Sequence, residues 1–464
     1  MIASECSPAQ NQTAPPTSHA ASGRKALVAA LRFLPVAVIL AACASGPPTE
    51  NVRMLGERAE QLQPLTADEG TDARSVVRNA LLQDPAVRER ASLIGASIDQ
   101  IVIARSALMP SLRFGIVGGA GAARAGPASL ELSGSQLLLD FGGTQRAVEA
   151  ADVNMQIQYL QFQSRVDEAI TEVLRAFGEV AMLEELTRTR EEQLAVMQEL
   201  RGLIAERTES GASPLPDLLE VRNRIERAEF NVLNARLELA EMRDSLLRLS
   251  GRSRGGTIPD FPQGCTPPGG ETDELQIARL EHVKAELDLE DARRARLPRI
   301  SLFPLGRLSV SGGGVSVGMN VGADAPLFEG GAIRARQNAA RNRLQSVEAQ
   351  VETAERNIRL DDLRLRRQIS SLTERQAMLR RQINLQRQTR DLYRGQYFEL
   401  GTRQMTDLLD AEETLFSRQI ELIEANFESR LRSVECAARS KSLRRTLGLT
   451  TFQIHDYPLT TDGL

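Results

Sequence analysis

Gly401-Thr402-Arg403-Gln404-Met405-Thr406-Asp407-Leu408-Leu409-Asp410 is the later of two related stretches in this 464-residue chain. In the earlier one, Gly211 is followed by Asp217-Leu218-Leu219-Glu220. Two more pairs keep the same order. Leu108-Met109-Pro110-Ser111-Leu112 is echoed by Arg296-Leu297-Pro298-Arg299-Ile300, and Asp140-Phe141-Gly142-Gly143 by Phe328-Glu329-Gly330-Gly331. The offset is 188 to 190 residues at all three places. Identity is low, but three landmarks in one order at one spacing mark a duplicated structural unit.

Outward from these landmarks, each half reads as helix, strand pair, very long helix, sharp turn, long helix. The first helix, over 73–107, halts before Pro110, since the residue preceding a proline is pushed out of the helical region. Leu112, Phe114 and Ile116 then alternate with small or polar residues, and a second strand lies around 131–140. In the second half Val315, Val317, Met319 and Val321 alternate with Ser316, Gly318, Asn320 and Gly322, a clean period of two. A membrane barrel strand needs about 9–11 residues, apolar toward lipid and polar toward the lumen. The long helices are predicted over 144–207 and 333–399, each on the order of 100 Å at ~1.5 Å per residue. Only Gly178, Gly202 and Gly395 lie well inside them, and no proline does.

The return helix of the first half carries Leu218, Val221, Ile225, Ala228, Val232, Ala235, Leu239, Met242, Leu246 and Leu249. These spacings of three and four describe a coiled-coil seam. Ala340, Leu344, Val347, Val351, Ala354 and Ile358 do the same in the second long helix. Four strands cannot close a barrel alone, and an open sheet edge cannot face lipid. Strands that enter a membrane must therefore be pooled by several chains, with the helices hanging below as a bundle of the same symmetry.

Composition agrees with a thin, extended helical object. Aromatic residues are 4% of the chain, with no tryptophan, too few for a thick globular core. Net charge is -4, so no strong basic field points to nucleic acid. Cys6, Cys43, Cys265 and Cys436 are far apart, and His19, His282 and His455 lack ligand spacing. No nucleophile elbow, phosphate loop or metal cluster is visible. Gly312-Gly313-Gly314 lies at a hairpin tip and opens no helix. The sequence implies neither an enzyme nor a cofactor.

The N-terminus reads as an address. Arg24 and Lys25 precede an apolar run that ends in Leu40-Ala41-Ala42-Cys43. A basic region, a short apolar region and small residues before the cut describe a secretory signal. Cys43 after Leu-Ala-Ala resembles the bacterial lipobox, in which the cysteine becomes the lipidated first residue, and Ala44 in place of aspartate favours the outer membrane. The domain reading is a signal peptide over 1–42, a polar lipid-anchored tether over 43–72 and a first repeat over 73–251 with strands about 111–119 and 131–140. An inter-repeat linker follows over 252–272. The second repeat covers 273–448, with strands about 300–311 and 314–327, and a tail occupies 449–464.

This order of elements resembles the TolC family of outer-membrane efflux proteins over roughly residues 73–450. The resemblance is most specific at Gly401 to Ala411, which matches that family's periplasmic tip segment almost position by position. Phe328-Glu329-Gly330-Gly331 and Leu297-Pro298 match its strand–helix junctions. The resemblance implies a fold that is mainly α with a small membrane β-barrel. It implies a homotrimeric α/β barrel built from the duplicated helix–β-hairpin–long helical hairpin unit. It also implies a passive exit duct of a tripartite efflux or type I secretion system. Its partners would be a periplasmic membrane-fusion adaptor, an inner-membrane transporter and outer-membrane lipid. The chain would sit in the bacterial outer membrane and extend into the periplasm, and Cys43 fits the lipidated branch.

At the tip, the resemblance places Asp407 and Asp410 in rings across the pore entrance. Their i, i+3 spacing puts both carboxylates on one helix face, and symmetric copies would concentrate negative charge there. An aspartate early in a helix also suits the helix dipole, which is the competing reading for Asp217 and Asp407. Arg403 and Asp217 match residues that hold the family's tip shut. Phe398 stands where the family has tyrosine, and Tyr397 is adjacent, about 100° round the helix. Cys265 and Cys436 fall near the ends of the return helices, and an oxidising compartment would permit their pairing. The cargo is not written in the chain.

The alternative is a periplasmic coiled-coil adaptor or structural lipoprotein. It explains the helices and the signal but not two amphipathic strand pairs. The lipobox carries its own test. Intact-mass analysis of membrane-extracted protein is expected to show loss of residues 1–42 and a diacyl or triacyl addition at Cys43. A mature chain beginning elsewhere and unmodified contradicts it.

Overall fold

The computed structural model describes residues 48–460, apart from 118–119, 122–123, 126–128, 262–264, 266–270 and 310–314. Cys43, the signal segment and the glycine-rich tip at 312–314 lie outside the described residues. The order is α1 (Glu50–Glu60), β1 (Gln63–Pro64), α2 (Ala73–Gln83), α3 (Pro85–Ser106), β2 (Ser111–Val117), β3 (Ala120–Gly121), β4 (Arg124–Ala125) and β5 (Ser129–Leu139). Then come α4 (Gly143–Glu209), α5 (Leu215–Ser250), α6 (Asp273–Arg294), β6 (Arg299–Ser309), β7 (Val315–Asp324), α7 (Ala332–Gly395) and a π-helical turn at Gln396–Leu400. The chain ends with α8 (Met405–Arg439), α9 (Leu443–Thr446), β8 (Phe452–Ile454) and β9 (Tyr457–Pro458).

The duplicated glycines explain where the long helices begin and end. Gly142 caps α4 and Gly331 caps α7, both with left-handed φ (82° and 89°). Gly211 and Gly401 turn the two helical hairpins at φ 73° and 62°. A side chain at such φ is disfavoured. Gly178 inside α4 has a different role. A Cβ there would come within 2.5 Å of the Ile258 side chain, so the glycine lets the inter-repeat linker lie against the helix.

The four long strands form one antiparallel sheet in the order β2-β5-β6-β7. Register puts Phe114 opposite Leu132, Leu132 opposite Gly306, and Gly306 opposite Val317. Ile116, Leu130, Leu308 and Val315 form the next row. Because side chains alternate faces, one face is apolar across all four strands. The other carries Arg113, Ser133, Glu131, Arg307 and Asn320, with Arg307 paired to Glu131 at 3.1 Å. The apolar face is uncovered, with Val317 84% exposed. No helix among the described residues is long and apolar enough to cross a membrane.

Two departures from the sequence reading stand out. The helix expected over 73–107 is broken at Asp84-Pro85, where Asp84 caps α3 by accepting from the Ala86 and Val87 amides. The stretch read as a tether is partly folded. Within it α1 buries Leu55 and Ala59, Leu65 is also buried, and β1 pairs in parallel with β8, tying the start of the described chain to its end. Arg444 anchors the same region. It is 2% exposed and holds both Asp167 oxygens (2.7 and 2.8 Å) and the Gln163 carbonyl (2.8 Å). It also reaches the Leu459 and Thr460 carbonyls at 3.5 and 3.4 Å. Cys265 and Cys436 are joined in a disulfide, Cα to Cα 4.4 Å, which ties the inter-repeat linker to α8 beside Leu365.

The seam read on α5 is the buried face that packs against α4. On α7 the stripe from Ala340 to Ile358 is the less exposed face, but only Val347 in it is fully buried.

Candidate functional site: the hairpin tip

The tip has its own small core. Met197, Leu200 and Ile204 from α4 meet Leu218, Val221 and Ile225 from α5 and Met405, Leu408 and Leu409 from α8. Leu218 and Leu408 are the matching residues of the duplicated tip segment, so each half contributes the same apolar position. This packing brings the polar residues of both hairpins within reach of each other.

Arg403 and Asp217 take different partners. Arg403, in the turn just before α8, pairs with Asp407 in that helix's first turn at 3.4 Å, reaches Gln396 at 3.3 Å, and lies 4.1 Å over the Tyr393 ring. Asp217 accepts from the Tyr397 hydroxyl at 3.2 Å, and the same hydroxyl is 2.9 Å from Ser213 Oγ. Tyr397 thus supplies a hydroxyl that Phe398 lacks. The π-helical turn accounts for it, since one extra residue per turn shifts side-chain directions away from ideal α spacing. Burial raises the Tyr397 pKa. The hydrogen bond with Ser213 opposes that, and the Asp217 carboxylate adds to it.

Three further ties cross between the hairpins. Arg207 of α4 donates to the Phe398 carbonyl at 3.1 Å and sits 5.4 Å from the Tyr397 ring centre. Arg394 of α7 pairs with Glu199 of α4 at 2.5 Å. Arg224 of α5 holds Asp410 at 2.7 Å and Glu413 at 2.8 Å on α8, with Glu220 at 2.9 Å on its own helix. Burial works against the Arg224 charge, but Glu220, Asp410 and Glu413 outweigh it and raise its pKa. Asp407 and Asp410 lie within one turn of each other, and Asp410 is neutralised in part by Arg224. Sequence reasoning missed Arg207 and Arg224. The Glu220–Arg224 spacing of four was a legible signal for the second, while nothing local marks the first.

Glu412 is also missing from the sequence reading. It is wholly buried on α8, neither carboxylate oxygen has a hydrogen-bond partner, and Arg390 of α7 lies 3.6 Å away. Burial raises its pKa above the ordinary 4.5, against the pull of Arg390 and Arg394. A carboxyl raised in the folded state stabilises fully below its ordinary pKa. It loses that contribution as pH rises through the raised value. Glu412→Gln removes this titration. By circular-dichroism melts in detergent, the variant is expected to match the parent at about pH 4 and to melt higher at neutral pH, where burying the parent's carboxyl is disfavoured. A variant less stable than the parent at neutral pH contradicts the assignment.

The model of a family described as outer membrane efflux protein matches residues 76–252 and 271–434, and the gap between them falls in the inter-repeat linker. No curated protein sequence matches the chain. Among solved structures, the outer-membrane channel OprN superposes with a TM-score of 0.70 at 18% identity, covering 86% of this chain and 99% of its own. CusC, described in connection with folding and transmembrane channel formation, gives 0.69 at 18% identity, covering 87% and 98%. The open state of the Neisseria gonorrhoeae MtrE channel gives 0.67 at 17% identity, covering 86% and 94%. At these identities the structural likeness is one of fold. With the family match spanning both repeats, this chain belongs to the outer membrane efflux protein family.

Proposed function

We propose that this outer-membrane exit duct works as a homotrimer, lipid-anchored at Cys43. In this reading, four strands from each of three copies close a barrel, and the helices continue it into the periplasm. The observation that carries the reading is the sheet itself. One apolar face crosses all four strands, while β2 and β7 are the outer strands, with their outer edges unpaired among the described residues. Each unsatisfied backbone group in hydrocarbon costs several kcal/mol, so the edges must be paired by neighbouring copies. The duct serves a tripartite efflux or type I secretion system, receiving cargo from a periplasmic membrane-fusion adaptor and an inner-membrane transporter.

Asp407 and Asp410 then line the periplasmic mouth. Arg403 orients Asp407. The latch consists of the ties between hairpins: Tyr397 to Asp217, Arg207 to the Phe398 carbonyl, Arg394 to Glu199 and Arg224 to Asp410. Moving α7 and α8 away from α4 and α5 breaks all four.

Planar-bilayer recordings separate filter from latch. Asp407→Ala with Asp410→Ala is expected to reduce cation preference and weaken block by multivalent cations. Resting conductance should also rise, because Arg224 loses a partner. Arg207→Ala is expected to raise resting conductance with ion preference nearly unchanged. An aspartate double variant with unchanged preference and unchanged block removes these residues from the pore.

A further inference from the structure

The inter-repeat linker crosses between the repeats and is held at three places by three different means. Its first part is seated on α4 by packing. The Gly256 amide donates to the Phe177 carbonyl at 3.1 Å, and a Cβ at Gly255 would come within 2.5 Å of the Val180 side chain. Ile258 and Phe261 are buried in the main core. At the far end, Thr272 accepts from the Leu275 amide at 3.4 Å and starts α6. Between these seats Cys265 lies in neither helix nor strand. Its buried neighbours are Cys436 and Leu365, with Ile369 partly buried beside them, a cluster separate from the main core. So small an apolar cluster contributes little by burial, and the bond to Cys436 is what fixes this part of the linker to α8.

The two cysteines come to that bond by different routes. Cys436 is placed by helix packing. It lies inside α8, 0% exposed, and Val434 and Ala437 beside it are buried in the core that α8 shares with α4. α4 and α7 both pack on α8. A cavity of about 730 Å³ at this level is lined by Asp167 and Arg175 of α4, Leu365 and Gln368 of α7, and Glu435 and Arg439 of α8. The Cys436 sulfur is thus set between helical walls as soon as α8 docks. Cys265 is placed only when the linker seats, and is then 3% exposed. Thiol–disulfide exchange requires access to the sulfur. A sulfur on a segment of no regular structure can meet a bulky disulfide before that segment seats, whereas one inside a docked helix is hindered from the start.

We propose that this chain is a substrate of a thiol–disulfide oxidant, that Cys265 is the thiol that meets the oxidant, and that Cys436 is the resolving thiol. The Cys265 thiolate attacks one sulfur of the oxidant's disulfide, forming a mixed disulfide and expelling the other sulfur as a thiolate. The Cys436 thiolate then attacks the Cys265 sulfur, forming the internal bond and expelling the oxidant's second thiolate. Two electrons and two thiol protons leave this chain, and the oxidant becomes a dithiol. The bond joins positions 171 residues apart and encloses α6, β6, β7 and α7. The second step therefore requires the second repeat to have folded back onto the linker. The proposal takes from the duct reading only that the helices stand in the periplasm, an oxidising compartment.

Oxidised glutathione serves as the oxidant in the test. Full-length protein in detergent is reduced, exposed to it briefly and quenched with acid. Peptide mapping is expected to find the glutathione mixed disulfide first on Cys265, giving way to the Cys265–Cys436 peptide. Cys436→Ser is expected to stop at the Cys265 adduct, formed about tenfold faster than an adduct on Cys436 in Cys265→Ser, because exchange follows access. The same order in the reduced parent, which carries both thiols, guards against a variant that misfolds. Adducts that form first on Cys436, or at equal rates on the two, overturn the assignment. Protein isolated without reductant that carries both thiols free overturns the oxidation itself. An oxidised protein that forms no conducting pore in planar bilayers overturns the duct reading and leaves the sulfur roles standing.

Discussion

A sheet of four strands with two open edges cannot rest in hydrocarbon, and the rest of the architecture follows from that constraint. Backbone groups at the outer edges of β2 and β7 need partners, and lipid offers none. The chain has spent its apolar residues as if the edges were closed. Leu, Val, Ile, Phe and Met occupy one face across all four strands, while the other mixes Phe303 and Leu305 with Arg113, Glu131 and Arg307, the last two paired. A soluble sheet would hide that apolar face under helices. Here the helices leave the sheet at Gly143 and Ala332 and cover none of it.

The same constraint organises the helical half. Once the number of copies is set by the strands, the helices must form a wall of the same symmetry. The middle of the molecule is the fixed part. Arg444 with Asp167, the β1–β8 pairing and the disulfide at Cys436 join the two ends of the described residues, the linker and both repeats. The tip is the opposite. Its core is small, and four of its polar ties cross between the hairpins.

Much of this was legible because it is periodic. Heptads, strand alternation and turn glycines are written in local order, and the offset of 188 to 190 residues gave the second half from the first. What escaped depends on contacts distant in sequence or on small changes of helical phase. β1 pairs with β8 nearly four hundred residues away, and no pattern in the polar stretch around Gln63 announces it. The break at Asp84-Pro85 was readable, since aspartate before proline is a helix-start signature, yet the surrounding apolar period masked it. Tyr397 was discounted because ideal α spacing sets it about 100° from Phe398, where a π-helical turn in fact intervenes. Arg207 is an ordinary helix residue until the second hairpin folds against it, and Glu412 is one until α7 brings Arg390 beside it within its own hairpin.

The count of chains in the particle is the most direct test of the account. Native mass spectrometry of the protein extracted in detergent, with β content verified on the same sample, is predicted to give three copies per particle. A monodisperse monomer with its full β signal would contradict it, because the edges of β2 and β7 would then be satisfied some other way.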